Sequence, residues 1–175
     1  MKRSPNIAVF LTLALLLLAV AALALLNRGD AELRRALEEN REFIVSVNGE
    51  SVATVGLQAL LDLEPEEFTT SIATSIATPR EARLRGVELR KLLNSLDIET
   101  VSADRVAVTG LDGYTSLLSR AEVESEEHIY ICYYMDGEVL KTQGEGGYGP
   151  YLMVVRGSRF AQRWCKYVES VDVIN

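Results

Sequence analysis

Imidazole and thiol are scarce in this chain, which has one histidine, His128, and two cysteines, Cys132 and Cys165, among 175 residues. No Cys/His cluster has metal-ligand spacing, which speaks against a zinc site. His128 stands beside Glu126 and Glu127 with no serine or cysteine placed to use it as a base, so it reads as a surface histidine. The cysteines leave two readings open. In an oxidising compartment they form one disulfide; their flanks, YICYY and RWCKY, read as strands, and there each is a small core residue. Basic charge is also short, with 18 Lys and Arg against 25 Asp and Glu and no dense basic patch. That removes the electrostatic footprint of a nucleic-acid binder.

Charge is missing altogether from Ile7 to Leu26, IAVFLTLALLLLAVAALALL, a run as long as the ~20 residues a bilayer-spanning helix needs. A cleaved signal peptide is the alternative, with Ala19-Val20-Ala21 or Ala22-Leu23-Ala24 as cleavage sites, but both lie inside the apolar run. No cysteine flanks the segment for a lipoprotein-style anchor. The division is therefore a cytoplasmic tail at 1–6, a transmembrane anchor at 7–26, a charged stalk at 27–42 that is either helical or a merely solvated linker, and a globular domain at 43–175. Lys2 and Arg3 precede the anchor while Arg28, Arg34, Arg35 and Arg41 follow it, an ambiguous count. A very short basic tail stays inside, and a large following domain crosses largely regardless of its charge, so the domain is expected outside the cytoplasm.

Turn residues punctuate the domain. Asn48-Gly49 between Phe43–Val47 and the run through Val55 predicts a hairpin. Leu57, Leu60 and Leu61 predict a short helix ending before Pro65, and the β-branched stretch Phe68–Thr78 predicts a strand. After Pro79, Leu89, Leu92, Leu93 and Leu96 recur at helical spacing within REARLRGVELRKLLNSL and predict an amphipathic helix. Asp112-Gly113 turns Arg105–Thr109 back into Tyr114–Leu118, and Ser119 with Glu122 makes a capping box. His128–Met135 reads as an aromatic strand reversed by Asp136-Gly137, and Tyr151–Val155 and Tyr167–Ile174 as the last strands. The fold class is α+β, strand-rich with short helices. Between the late strands, Gly144, Gly146, Gly147 and Gly149 with Tyr148 and Pro150 form a loop that can approach a ligand closely, with Tyr148 displayed on it. Tyr114, Tyr130, Tyr133 and Tyr134 either line an aromatic ligand cleft or, the commoner case, are strand residues packing a β face. The acidic run Asp62, Glu64, Glu66 and Glu67 is expected to face solvent. Arg80, Arg83, Arg85 and Arg90 are dense enough to attract an anion, or are the exposed side of a hairpin and helix; both readings stay open.

The order VNGESVATVGLQALLDL, LRGVELRKLLNSL, VAVTGLDGYTSLLSRAEV, YICYYMDGEVLKTQGEGGYGPYLMVV and RWCKYVESVDVI resembles the molybdopterin-binding domain of the sulfite oxidase type, including its small stand-alone bacterial forms. The resemblance implies that family's scaffold and a molybdenum-pterin cofactor whose metal is held by a cysteine thiolate. That cysteine is expected near Phe68–Thr78, where this chain has Thr69, Thr70, Ser71, Thr74, Ser75 and Thr78 instead. The family's arginine two residues after the proline is Leu152 here, which offers no charge-assisted fork, and its asparagine is Gly147. Lys166 matches the family's lysine in the final strand. The residues carried over to the cofactor cleft are thus Thr74, Ser75, Gly147, Tyr148 and Lys166, with no metal ligand among them.

Three functions compete. A cofactor-less binding module keeps the scaffold and uses its cleft for a small anionic ligand or a membrane protein partner. An active molybdenum oxidoreductase would cradle the cofactor with Lys166, the glycine loop and Arg80 or Arg85, a hydroxyl replacing the thiolate. A structural component of a membrane complex would depend mainly on stalk and anchor. Fold resemblance alone does not choose among them.

Overall fold

The computed structural model describes residues 5–26, 39–74, 77–158 and 161–175, with the backbone alone at 5–8, 21–26, 73–74, 77–79 and 161. The chain divides into two compact units, Met1–Ala36 and Leu37–Asn175. In the first, α1 runs from Pro5 to Leu26, 22 residues without a charged side chain. Its described side chains cover only 9–20 and are all exposed. Counted over described residues, no helix is long and apolar enough to cross a membrane. The expected stalk falls mostly at 27–38, outside the described residues, and its last residue, Glu42, opens the first strand.

The second unit holds β1 (Glu42–Val47), β2 (Glu50–Gly56), α2 (Leu57–Leu61), β3 (Glu66–Thr74), β4 (Ala77–Glu88), α3 (Leu89–Ser95), β5 (Arg105–Gly110), β6 (Thr115–Ser119), α4 (Arg120–Glu124), β7 (Ile129–Met135), β8 (Glu138–Val139), β9 (Leu152–Val155) and β10 (Val168–Ile174), with a 3-10 turn at Ala161–Arg163. They form two sheets. One has the order β2-β1-β10-β5-β6, and β1 and β10 are parallel in it, with Ile44 opposite Ser170. The other runs β3-β4-β7-β8, and β9 joins β7 on the flank away from β4. A chain that alternates hairpins with single-turn helices builds this from local pairings. The β1–β10 pair brings its two ends together.

Sequence chemistry accounts for the joints. Asn48 and Gly49 both have positive φ, 52° and 81°, the backbone a two-residue turn with right-handed strand twist requires. Asp172 fastens that turn, accepting from the Gly49 amide at 3.0 Å and the Ser46 hydroxyl at 2.7 Å. The capping box at α4 is complete, because the Ser119 side chain takes the Glu122 amide while the Glu122 carboxylate returns to the Ser119 amide. Strand β7 is buried at its first five positions, as the middle of a sheet demands. Phe43, Val45, Leu60, Leu84, Leu92, Leu93, Val106, Ile131 and Val171 meet in one continuous core.

Two elements differ from expectation at the same place. The strand expected through Thr78 ends at Thr74, and the chain reverses so that Thr74 pairs with Ala77. The helix expected from Arg80 begins only at Leu89, and Arg80–Glu88 is strand. Residues 81–85 alternate strictly, with Ala82 and Leu84 buried and Glu81, Arg83 and Arg85 exposed, which is the period of a strand. Pro79 is tolerated because β4 meets β7 only from Leu84 onward, so at Pro79 one side of the strand is a free edge.

Candidate functional site

At one end of the second sheet, the β3–β4 hairpin is tied to the turn after β7. Arg80 donates to Asp136 at 2.7 Å, and the Arg83 amide donates to its other oxygen at 2.9 Å. The Arg80 guanidinium holds the Asp136 carboxyl below the ordinary carboxylate range. Asp136 thus does more than turn the chain. It also lines a groove of about 240 Å³ together with Met135, Glu138, Val139, Leu140, Lys141, Gly147 and Tyr148.

The glycine loop makes the opposite wall. Gly147 and Gly149 donate their amides to the Thr142 and Lys141 carbonyls at 2.9 and 2.7 Å, so the loop folds back onto β8's exit. A Cβ on Gly147 would run into the Lys141 carbonyl oxygen, so glycine is needed there for the close approach of two backbones. Glu145 closes the loop by accepting from the Thr142 amide and hydroxyl at 2.8 and 3.0 Å, and these bonds lower its pKa. Tyr148 lies under the Lys166 ammonium, 4.6 Å from nitrogen to ring centroid, a cation–π contact. Behind the groove, Arg41 donates to the Leu140 carbonyl at 3.2 Å and Tyr151 donates to the Arg41 carbonyl at 2.7 Å.

Gly147, Tyr148 and Lys166 are therefore brought together as one wall and its rim. Thr74 is the last residue of β3, in the hairpin that Arg80 ties to Asp136, and only its backbone is described. Ser75 lies outside the described residues. Lys141, Glu138 and Met135 escaped sequence reasoning because nothing in MDGEVLK distinguishes a groove wall from a solvated turn.

Several other residues are placed differently from their expectation. Tyr114 is 42% exposed and donates to the Gln162 carbonyl, so it belongs to the surface, whereas Tyr130 and Tyr133 are core. Glu66 is not merely a solvated charge. It binds Lys91 at 2.6 Å and accepts from the Tyr130 hydroxyl at 2.9 Å, and the lysine contact lowers its pKa. Arg90 faces Glu88 and Glu126 rather than an anion.

Both cysteines are free and fully buried, which resolves the open choice in favour of small core residues. Burial pushes the Cys165 thiol up to about 12 and the Cys132 thiol further, so neither supplies thiolate near neutral pH. Neither lines the groove. Leu152, at the position where the resemblance calls for an arginine, is buried in β9. Among the described residues no group of three His, Cys, Asp or Glu is arranged to hold a metal ion. With both thiols buried away from the groove, the described residues offer no accessible thiolate and do not fit a thiolate-held molybdenum centre.

Comparison with known proteins places this geometry in context. A family model described as the oxidoreductase molybdopterin binding domain matches residues 36–175. The comparison with curated proteins returned no match. Among solved structures, the sulfane dehydrogenase SoxCD from Paracoccus pantotrophus is similar with a TM-score of 0.60 and 15% identity, over 76% of this chain and 38% of that one. At that identity the likeness shows the fold, and this chain spans well under half of its structural neighbour. With the family model covering the whole two-sheet unit, the chain belongs to the oxidoreductase molybdopterin-binding domain family.

Proposed function

We propose that this chain is a membrane-anchored, extracytoplasmic binding module that has kept the molybdopterin-binding scaffold and lost the grip on metal. The observation that carries the reading is the burial of both thiols in the core, away from the groove. A cysteine thiolate is what couples such a domain to its metal, and both thiols here are sealed in the core. What remains is a groove with Lys141 in its wall and Lys166 on its rim, neither in an ion pair among the described residues. Asp136 in the lining is answered by Arg80, so the two ammonium groups outweigh Glu138 and suit a small anionic ligand, and the apolar Met135, Val139 and Leu140 suit its body or the side chain of a membrane protein partner.

Anchoring rests on the sequence, whose uncharged run Ile7–Leu26 is as long as the ~20 residues a bilayer-spanning helix needs. The short tail with Lys2 and Arg3 supports a cytoplasmic N-terminus. Protease added to the outside of intact cells should digest 43–175 while sparing the tail; protection of the domain until lysis would reverse the orientation.

An active molybdenum-pterin oxidoreductase is the competing reading, favoured by the retained Lys166 and glycine loop. The two separate on the full chain extracted in detergent from cells that make the cofactor. The binding-module reading expects no pterin fluorescence after oxidation of the purified protein. Pterin in near-equal amount to protein would overturn it.

A further inference from the structure

Four arginines crowd 80–90, and three of them have carboxylate partners. Arg80 is on Asp136 at 2.7 Å, Arg83 approaches Glu67 at 3.7 Å, and Arg90 reaches Glu88 and Glu126 at 3.4 and 3.5 Å. Arg85 is exposed and, among the described residues, makes no ion pair or side-chain hydrogen bond.

Opposite Arg85, strand β7 carries a bulge. Arg85 pairs with Tyr134 and Gly86 with Cys132, which leaves Tyr133 as the extra residue. Its ring stands 6.4 Å from that of Tyr134. Tyr133 is 4% exposed, and its buried hydroxyl has no hydrogen-bond partner. Burial raises its pKa while the Arg85 charge pulls the other way, and the register sets Arg85 opposite Tyr134, the neighbour of the bulged Tyr133. Buried polar groups are almost always paired, and phenylalanine would fill this space without an unmet donor. Bulges recur where a strand re-aims a side chain toward a functional site.

We propose that Arg85 and Tyr133 form a carboxylate-binding site: the guanidinium fork takes both oxygens of the ligand and the tyrosine hydroxyl donates to one of them. Charge selects a monoanion. Glu67 lies opposite Arg85 in register and leans on Arg83, and the exposed Glu81 adds further negative charge along β4. One uncompensated guanidinium therefore balances a carboxylate but not a doubly charged phosphate. Binding requires the side chains over the buried hydroxyl to move aside, and the exposed Arg85 is the charged group beside the bulge that is held by no ion pair among the described residues. None of these residues lines the groove, so the inference stands or falls separately from the proposed function.

The test uses the full chain in detergent micelles, with thermal midpoints and calorimetric titration in sodium acetate, sodium phosphate and sodium chloride at equal ionic strength. Acetate is expected to raise the midpoint where phosphate and chloride do not. Arg85→Gln should abolish the acetate response with the unliganded midpoint unchanged, since the position is exposed. Tyr133→Phe should leave the unliganded midpoint equal or higher and weaken acetate binding by about tenfold. The proposal is overturned by no acetate response in the unmodified chain, by phosphate acting without acetate, or by an acetate response that Arg85→Gln leaves intact. Because Arg85→Gln removes only an exposed charge, the test stays decisive even if Tyr133→Phe misfolds.

Discussion

Glu122 closes two structures with one carboxylate. One oxygen accepts from the Ser119 amide and hydroxyl at 2.9 and 2.8 Å, and the other accepts from Arg163 at 2.6 Å. Arg163 in turn belongs to the 3-10 turn, whose carbonyls receive the Ser116 and Tyr114 hydroxyls. Glu122→Gln removes the charge and keeps the shape. Chiefly through Arg163, the folded protein draws this carboxyl down from an ordinary 4.5 to about 2. Linkage converts that difference to ~3 kcal/mol at pH 7. The loss of a charge-assisted hydrogen bond, about 1.5–3 kcal/mol, together with a weakened cap, about 1 kcal/mol, reaches the same range independently. Because the folded value is the lower one, the stabilisation is fully present above about pH 4.5 and is lost as pH falls toward 2. At pH 3 less than half of it remains. Urea unfolding of the full chain in micelles, followed through Trp164, the only tryptophan and a buried neighbour of Arg163, reads the effect directly. Equal stabilities of the two proteins at pH 7, or a gap that persists undiminished at pH 3, would refute the reasoning.

Three further outcomes are expected. Gly86→Ala would drive a Cβ into the Ile131 carbonyl oxygen and to 2.7 Å from the Cys132 Cα, and backbone cannot swing aside. The cost should lie at the upper end of the ~1–3 kcal/mol seen for overpacking, and an unchanged urea midpoint would contradict it. Leu84→Ala removes a fully buried side chain from β4 and should cost about 2–5 kcal/mol in the same assay, with a loss under 1 kcal/mol counting against the core described here. Cys132 and Cys165 should ignore an aromatic disulfide reagent at neutral pH until urea unfolds the chain; a thiol that reacts within seconds in the native protein would contradict their burial.

Local chemistry was readable where a few adjacent residues decide the outcome. Asn48-Gly49 demands its own turn, Ser119 and Glu122 find each other one helical turn apart, and the apolar aromatic run of β7 announces a strand. Family resemblance extended this to the whole domain, and the family model agrees over 36–175. Pro79 misled because a proline normally ends one element and opens another, whereas here it sits on a free strand edge. The leucine spacing after it is genuine, but the helix starts at Leu89, nine residues later than the charged residues hinted. The site was harder to read, because its polar contacts join positions far apart in the chain. Arg80 meets Asp136 across 56 residues, and Arg41 meets Leu140 across 99. No pattern within either segment announces the other. Tyr133 is the extreme case, since only the bulge register separates it from an ordinary core tyrosine.

The decisive measurement is the molybdenum content of the full chain, purified in detergent from cells supplied with molybdate and competent to make the pterin cofactor, by elemental mass spectrometry against protein concentration. With both thiols sealed in the core, the ratio should be indistinguishable from that of a protein carrying no metal site. One molybdenum per chain would contradict the account.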